Sequence, residues 1–483
     1  MTDTEVTKAA NFIGGEWVGS RSGDTFDRFN PAHLGEHVVI APDSTSADVE
    51  EAVGYVSENY RAWADTAPEA RADVLIRAAD ILASRADDIA TELVREEGKT
   101  FAEARMETRR TPQNLRYYAG ESLRLSGSTY PTADGSWVFT SRSPVGVVAA
   151  ITPWNFPLNI PSRKLGPALA AGNGVVFKPS EVTPLSGQRL VEALVDAGVP
   201  GGALALVQGR GEVGRALVSD PRVAAVTFTG STAVGEAIHS AVSVSVRCQL
   251  EMGGKNAFVV LEDADLDKAA DVITKGAFGL SGQACTGTSR VVVLESVADC
   301  LLDRVMERAQ ALVVGDGLTA GTTMGPLATR AQWDKYQEFL QGGVTSGARL
   351  ETPLREQSLN DGYFARPAIF SEVGPTSRLA QEEIFGPILS FMTVGSYEEA
   401  VDVVNGTPYG LSAGIATTDM GRAMQFSRDV EAGVVKVNQA TSGMAMNAPF
   451  GGMKLSSTQT HKEQAGDTMM HFYTTDKTIY ISA

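Results

Sequence analysis

Apolar residues set the rhythm of the chain. Val49, Ala52, Val53, Val56, Tyr60 and Trp63 recur at spacings of three and four, the period of an amphipathic helix. Val74, Leu75, Ala78, Ile81, Leu82, Ile89 and Leu93 repeat the pattern up to Gly98, and a more polar helix is predicted from about Thr100 to Ala119. Ahead of them, Ile13–Val18 reads as a strand beside a turn and Asn30-Pro31 as a loop. From Gly146 the rhythm changes. Short β-branched runs at Val147–Thr152, Gly174–Lys178, Leu204–Gln208, Ala224–Thr229 and Val246–Leu250 alternate with helix-periodic segments around 160–171, 185–197, 212–218 and 232–242. Such alternation argues for an α/β fold with a parallel sheet covered by helices. A second series follows after about residue 256, with strands near Phe258–Leu261, Val291–Leu294 and Ala413–Ala416. Ser126–Ser136 and Tyr473–Ser482 are strand-like but stand outside the alternation, suiting either a flap that pairs with a neighbouring subunit or a surface hairpin. No repeat, low-complexity run or flexible linker divides the chain, so its domains are expected to interlock.

Composition narrows the class. A length of 483 residues predicts two or three domains, and 43% hydrophobic with 20% charged residues is an ordinary globular balance. The 41 basic and 58 acidic side chains leave a net charge of −17, which argues against a nucleic-acid partner but permits a local cationic pocket. Three cysteines cannot form a disulfide framework and point to a reducing compartment. Met1 to Ser20 hold no apolar core of signal-peptide length, and no run approaches the ~18 apolar residues of a membrane span. A cytoplasmic enzyme without a metal centre is the expectation.

Several turns carry candidate chemistry. Gly209-Arg210-Gly211-Glu212-Val213-Gly214 follows a strand and opens a helix as a dinucleotide fingerprint would. The match is weak, because no acidic residue ends a next strand ~20 residues on. Thr227-Phe228-Thr229-Gly230-Ser231-Thr232 is a better anion site or simply a good helix cap, with hydroxyls at a helix N-terminus. Asn155, between Pro153 and Pro157, offers a rigidly held amide for a developing oxyanion. Glu251 ends a strand, where a desolvated carboxylate suits a general base. Cys285 lies between Gly282 and Gly287, as an accessible nucleophile would, although a buried inert thiol is an equal reading of the motif alone. Cys300 falls in the run Cys300, Leu301, Leu302, Val305 and reads as core filler; Cys248, in an apolar strand, reads as structural.

In order and spacing these motifs resemble the aldehyde dehydrogenase superfamily over nearly the whole chain. The likeness rests on Ile13-Gly14-Gly15-Glu16-Trp17, Asn30-Pro31-Ala32, Trp154-Asn155-Phe156-Pro157, Ala168-Leu169-Ala170-Ala171-Gly172-Asn173 and Lys178-Pro179-Ser180-Glu181. It continues through Phe228-Thr229-Gly230-Ser231, Glu251-Met252-Gly253-Gly254-Lys255, Gly282-Gln283-Ala284-Cys285, Glu383-Ile384-Phe385-Gly386-Pro387 and Pro449-Phe450-Gly451-Gly452. The resemblance implies Cys285 as nucleophile, Glu251 as general base, Asn155 as oxyanion ligand and Lys164 as support for that region. It implies NAD or NADP bound by Thr152, Trp154, Lys178, Ser180, Glu181, Gly211, Gly230, Ser231 and Met252, with Glu383 on the nicotinamide ribose and Phe385 bracing the ring. A Rossmann-like cofactor domain (1–124 and 147–253), an α/β catalytic domain (254–455) and a small β oligomerisation flap (125–146 and 456–483) are implied as well, in a homodimer or homotetramer. Because Glu251 is present, the acyl group is expected to pass to water and not to coenzyme A.

Two departures mark the branch. Met252 stands where Leu is usual, a volume-conserving swap. After Lys454 the usual Ser-Gly becomes Ser456-Ser457, followed by Lys462-Glu463-Gln464 and an extra Ala465. The double serine and Gly282–Arg290 resemble enzymes that oxidise α-ketoglutaric semialdehyde (2,5-dioxopentanoate). Arg163 stands where succinic semialdehyde dehydrogenases carry an arginine for the substrate's far carboxylate; the alternative is a surface ion pair. Their second arginine, six residues before the nucleophile, is Gly279 here. Thr286, Ser442 and Phe450, with Thr441 and Asn447, are further candidates for the substrate side. The expected substrate is therefore a short acidic aldehyde, 2,5-dioxopentanoate ahead of succinic semialdehyde, with a broad aliphatic or aromatic range third. A catalytically silent binding homologue is disfavoured by the intact Cys285, Glu251, Asn155 and Glu383.

Overall fold

Val147–Ile151 and Gly174–Lys178 are buried at every position, and successive residues face two different cores. Val148, Ala150, Val175 and Phe177 pack into one apolar cluster, Val147, Ala149 and Val176 into another. Helices on both faces explain why these strands read as continuous apolar runs. The computed structural model describes residues 6–353, 362–461 and 465–482.

The first seven-stranded sheet runs in the order Arg247–Glu251, Val223–Thr229, Val147–Ile151, Gly174–Lys178, Leu204–Leu206, Asn11–Ile13 and Glu16–Val18. Its first five strands are parallel, and the last two form an antiparallel hairpin at the edge. The hairpin turns at Gly14 and Gly15, both with positive φ (66° and 90°), a conformation glycine adopts without steric cost. Val147–Ile151 has the next strand, Gly174–Lys178, on one side and the later Val223–Thr229 on the other. That reversal opens a crevice at the carboxyl ends, where α/β sheets bind ligands.

The second seven-stranded sheet has the order Arg349–Leu350, Ala368–Ser371, Ile388–Val394, Arg290–Leu294, Ala257–Val260, Ser412–Ala416 and Val434–Val437, parallel except for its first strand. Residues 252–256 link Glu251, at the carboxyl end of the first sheet, to the amino end of a strand of the second. The Cys285 loop and Glu383–Phe385 also precede strands of this sheet. The segments meet at one junction.

A third sheet pairs Thr129–Tyr130, Trp137–Pro144 and Thr474–Ile481 antiparallel. Of Ser126–Ser136 only Thr129–Tyr130 is strand; the central strand Trp137–Pro144 escapes the pattern because Thr140, Ser141, Arg142 and Ser143 carry no apolar alternation. Trp137 and Tyr480 remain 75% and 72% exposed. Cys300 is a correction: it is exposed, not core. The buried stripe of helix Ala298–Gln310 is Ala298, Leu301, Val305 and Ala309, and Cys300 lies one residue, about 100° of helix, off that stripe. Cys248 is part-buried against the core beneath the first sheet. Among the described residues no helix is long and apolar enough to cross a membrane.

Candidate active site

The loop carrying Cys285 is held from several directions. After helix Leu266–Phe278, Leu280, Ser281 and Gly282 take positive φ in succession (53°, 55° and 71°). Two of them are not glycine, and neighbours hold the unfavourable backbone in place. The Leu280 N–H donates to Glu103 Oε1 at 2.7 Å, and Ser281 Oγ donates to the Gly325 carbonyl at 2.7 Å. A Cβ at Gly282 would lie 2.3 Å from the Gly386 carbonyl oxygen, so only glycine fits. Asn256 Nδ2 donates to the carbonyls of Cys285 (2.8 Å) and Gly287 (2.9 Å). Burial, then the charges of Glu383 and Glu251, push the Cys285 thiol up to about 12, with Arg163 opposing. At neutral pH Cys285 rests as a thiol and must lose its proton to become the nucleophilic thiolate.

Asn155 is fixed at both ends. Its side chain is buried, and Nδ2 donates one hydrogen to the Gln283 carbonyl at 2.9 Å, leaving the second for another acceptor. Its backbone carbonyl accepts from Lys99 Nζ at 2.7 Å, and Lys99 pairs with Glu107 at 2.6 Å. Glu107 Oε1 in turn accepts the N–H groups of Leu158 (2.9 Å) and Asn159 (3.0 Å), which open helix Asn159–Ala170. Those N–H groups have no partner within the helix, so a buried carboxylate there completes them and favours the helix dipole.

That helix delivers Arg163 and Lys164 on consecutive residues. Lys164 Nζ donates to Thr227 Oγ1 at 2.9 Å, and Thr227 donates to Gln249 Oε1 at 2.8 Å. Burial lowers the Lys164 ammonium well below its usual range, the nearby Glu251 charge opposing. Glu251 Oε1 accepts from Ser457 Oγ at 2.6 Å and from the Gly452 N–H at 3.4 Å, while Oε2 is buried without a partner among the described residues. Burial lifts the Glu251 carboxyl to about 8 against the pull of Ser457, Gly452, Lys164 and Arg163. Arg163 is only 9% exposed, which removes the surface ion-pair alternative. Its Nη1 meets Met444 Sδ, its guanidinium carbon stands 5.9 Å from the Phe450 ring centroid, and Nε has no hydrogen-bond partner among the described residues. A buried cationic donor in that state is a ready anion ligand.

The remaining expected positions ring the crevice. Trp154 meets Phe385 edge-on, centroids 5.4 Å apart at 88°. Glu383 Oε1 accepts the Gly254 N–H at 3.0 Å, and burial raises its carboxyl. A cavity lined by Gly254, Gly282, Ala284, Glu383 and Phe385 lies beside the Cys285 loop. Thr152 Oγ1, at the end of its strand, is buried without a partner among the described residues. Lys178 Nζ and Glu181 Oε2 are 3.4 Å apart, and Ser180 Oγ accepts the Val182 N–H at 3.2 Å. Ser231 caps helix Thr232–Ala241, Gly230 lies against the Phe228 ring, Met252 packs on Gly235, and Gly211 begins helix Gly211–Ser219. The free Thr152 hydroxyl and the Glu383 cavity fit a nicotinamide dinucleotide entering by the crevice.

On the other side, the Thr286 carbonyl accepts from Thr441 Oγ1 at 2.7 Å, tying the segment with half-buried Ser442, Met444 and Phe450 to the Cys285 loop. Asn447 is exposed. Lys462, Glu463 and Gln464 lie outside the described residues. Sequence reasoning missed Lys99, Glu107, Asn256, Gln283 and Ser457 as functional supports. Gln283 stands inside the quoted Cys285 motif and Ser457 is a hydroxyl where the usual pattern has glycine, whereas Lys99, Glu107 and Asn256 left no signal.

A family model described as "Aldehyde dehydrogenase family" matches residues 17–479. The chain is 41% identical over 484 residues to an "Alpha-ketoglutaric semialdehyde dehydrogenase" of Bacillus subtilis (strain 168), covering 99% of each. It is 40% identical over 480 residues to a "2,5-dioxopentanoate dehydrogenase" of Saccharolobus solfataricus, covering 98% of this chain and 99% of the relative. A crystal structure of an NAD-dependent aldehyde dehydrogenase from Sinorhizobium meliloti superposes with a TM-score of 0.95 at 34% identity, covering 99% of this chain and 95% of that one.

Proposed function

The chain belongs to the aldehyde dehydrogenase family and oxidises an aldehyde with NAD or NADP, and from that premise we propose that its substrate is a short acidic aldehyde, 2,5-dioxopentanoate, released as 2-oxoglutarate. The observation that carries this reading is Arg163, a buried guanidinium with an unpartnered Nε, close enough for its charge to act on both Cys285 and Glu251. A carboxylate at the far end of the substrate completes its hydrogen bonds. Two relatives carry names for this same semialdehyde. Succinic semialdehyde is the second reading. At Gly279 a Cβ would meet nothing within 4 Å, room that favours the longer acid over one clamped by two arginines.

The reaction follows from the residue types. Cys285 gives its proton up to solvent, and the thiolate attacks the aldehyde carbon. The free Asn155 amide hydrogen and the Cys285 backbone N–H hold the oxyanion. The bound nicotinamide supplies the hydride acceptor. Cys285 is left as a thioester, and Glu251 takes a proton from the water that releases the acid. Thr152, Trp154, Lys178, Ser180, Glu181, Gly211, Gly230, Ser231, Met252, Glu383 and Phe385 are assigned to the cofactor. Thr286, Ser442 and Phe450 are assigned to the substrate beside Arg163.

In this reading 1–124 with 147–253 form the cofactor domain, 254–455 the catalytic domain, and 125–146 with 456–483 the flap. The exposed Trp137, Tyr480 and Ile481 of the flap sheet suit a homo-oligomer interface. Three free cysteines suit the cytoplasm. The test is kcat/KM over a panel of acidic and neutral aldehydes, each with NAD and NADP. Preference for 2,5-dioxopentanoate supports the assignment; preference for neutral aldehydes removes it.

A further inference from the structure

The segment Ser456–Thr458 runs antiparallel against the end of strand Arg247–Glu251. The Met252 N–H donates to the Ser456 carbonyl at 2.8 Å, the Thr458 N–H to the Leu250 carbonyl at 3.2 Å, and the Leu250 N–H to Thr458 Oγ1 at 3.2 Å. These bonds on either side of Ser457 fix its backbone, and both Ser457 and Glu251 are buried. Its hydroxyl has one hydrogen and two acceptors in reach: Glu251 Oε1 at 2.6 Å and the Leu250 carbonyl at 3.0 Å. The Gly452 N–H supports the same Oε1, and Oε2 has no hydrogen-bond partner among the described residues. One oxygen is anchored and the other is free.

We infer that Ser457 is a positioning residue for Glu251: its hydroxyl holds Oε1 of the ionised carboxylate and leaves Oε2 to take the proton of the attacking water. This rests on the assignment of Glu251 as base. In the step, water oxygen bonds to the acyl carbon and one water proton passes to Oε2. The carbon–sulfur bond breaks with its electron pair on Cys285 Sγ. Once Glu251 is neutral, the Ser457 hydroxyl turns to the Leu250 carbonyl, so no donor is orphaned. Selective bonding to the ionised form keeps a buried carboxyl ionised, and so able to accept a proton, at workable pH. Among the described residues, Lys164 and Arg163 from helix Asn159–Ala170, and Cys285 from its loop, also act electrostatically on Glu251.

The test follows thioester hydrolysis against pH after a single turnover with 2,5-dioxopentanoate and NAD or NADP. It compares the full-length enzyme with Ser457→Ala, Ser457→Gly and Ser457→Thr. Loss of the hydroxyl should move the rising limb up by about one pH unit, roughly a tenfold slower hydrolysis below the limb. The burst of reduced nicotinamide should survive and report the folded, active fraction. Ser457→Thr should return the limb toward the wild type. A limb unmoved in both Ser457→Ala and Ser457→Gly overturns the inference. Glu251→Gln separates the two levels: steady turnover there removes the base itself, whereas a burst and stall beside an unmoved Ser457→Ala limb removes only the role of Ser457.

Discussion

Lys99 Nζ donates to the Asn155 backbone carbonyl at 2.7 Å while pairing with Glu107 at 2.6 Å, both partners buried. One ammonium thus fixes the proposed oxyanion donor relative to the helix that carries Arg163 and Lys164. Lys99→Met should lower kcat by about tenfold or more with little change in KM, since the amide matters most once the oxyanion forms. It should also lower stability by about 3–5 kcal/mol, because Glu107 is left as an unpaired buried charge. Steady-state kinetics and thermal melting check both outcomes. Unchanged kcat would separate Lys99 from the site.

Arg163→Met keeps a long side chain against Phe450 and Met444 but removes the charge. For acidic aldehydes kcat/KM should fall by about 10- to 100-fold, the worth of a charge-assisted hydrogen bond. Neutral aldehydes of similar length should change far less. Equal losses on both classes would identify a packing role alone.

Stability should depend on pH in a direction set by buried carboxyls. Burial raises Glu251 to about 8, and Glu96 and Glu97 to about 7, each from an ordinary 4.5. Between the unfolded and folded values the native state binds more protons, so stability falls as pH rises. The contribution is fully present below about pH 4.5 and is lost as pH climbs through 7 to 8. Glu251→Gln stays neutral throughout, so its melting temperature should decline less steeply between pH 5 and 9. Parallel melting curves for the two proteins would contradict the raised value.

Much of this was legible from residues alone, for identifiable reasons. Val147–Ile151 and Gly174–Lys178 announce themselves because both faces are buried. Trp137–Pro144 does not, since its register is set by Thr474–Ile481, more than three hundred residues away. Asn155, Glu251 and Cys285 stand in turns marked by proline and glycine, and the structure brings their surroundings together at one junction. Lys99, Glu107 and Asn256 act through backbone carbonyls and N–H groups, a use that side-chain identity does not reveal. Cys300 escapes the apolar pattern because one residue of helical phase separates core from solvent.

The central claim is that Cys285 carries the acyl group and Glu251 releases it. Its most direct measurement is the mass of Glu251→Gln, intact and after peptide mapping, following one addition of 2,5-dioxopentanoate with cofactor. The account predicts a burst of reduced nicotinamide no larger than the enzyme present, with the acyl mass on the Cys285 peptide. Sustained turnover, or a burst with that peptide unmodified, would contradict it.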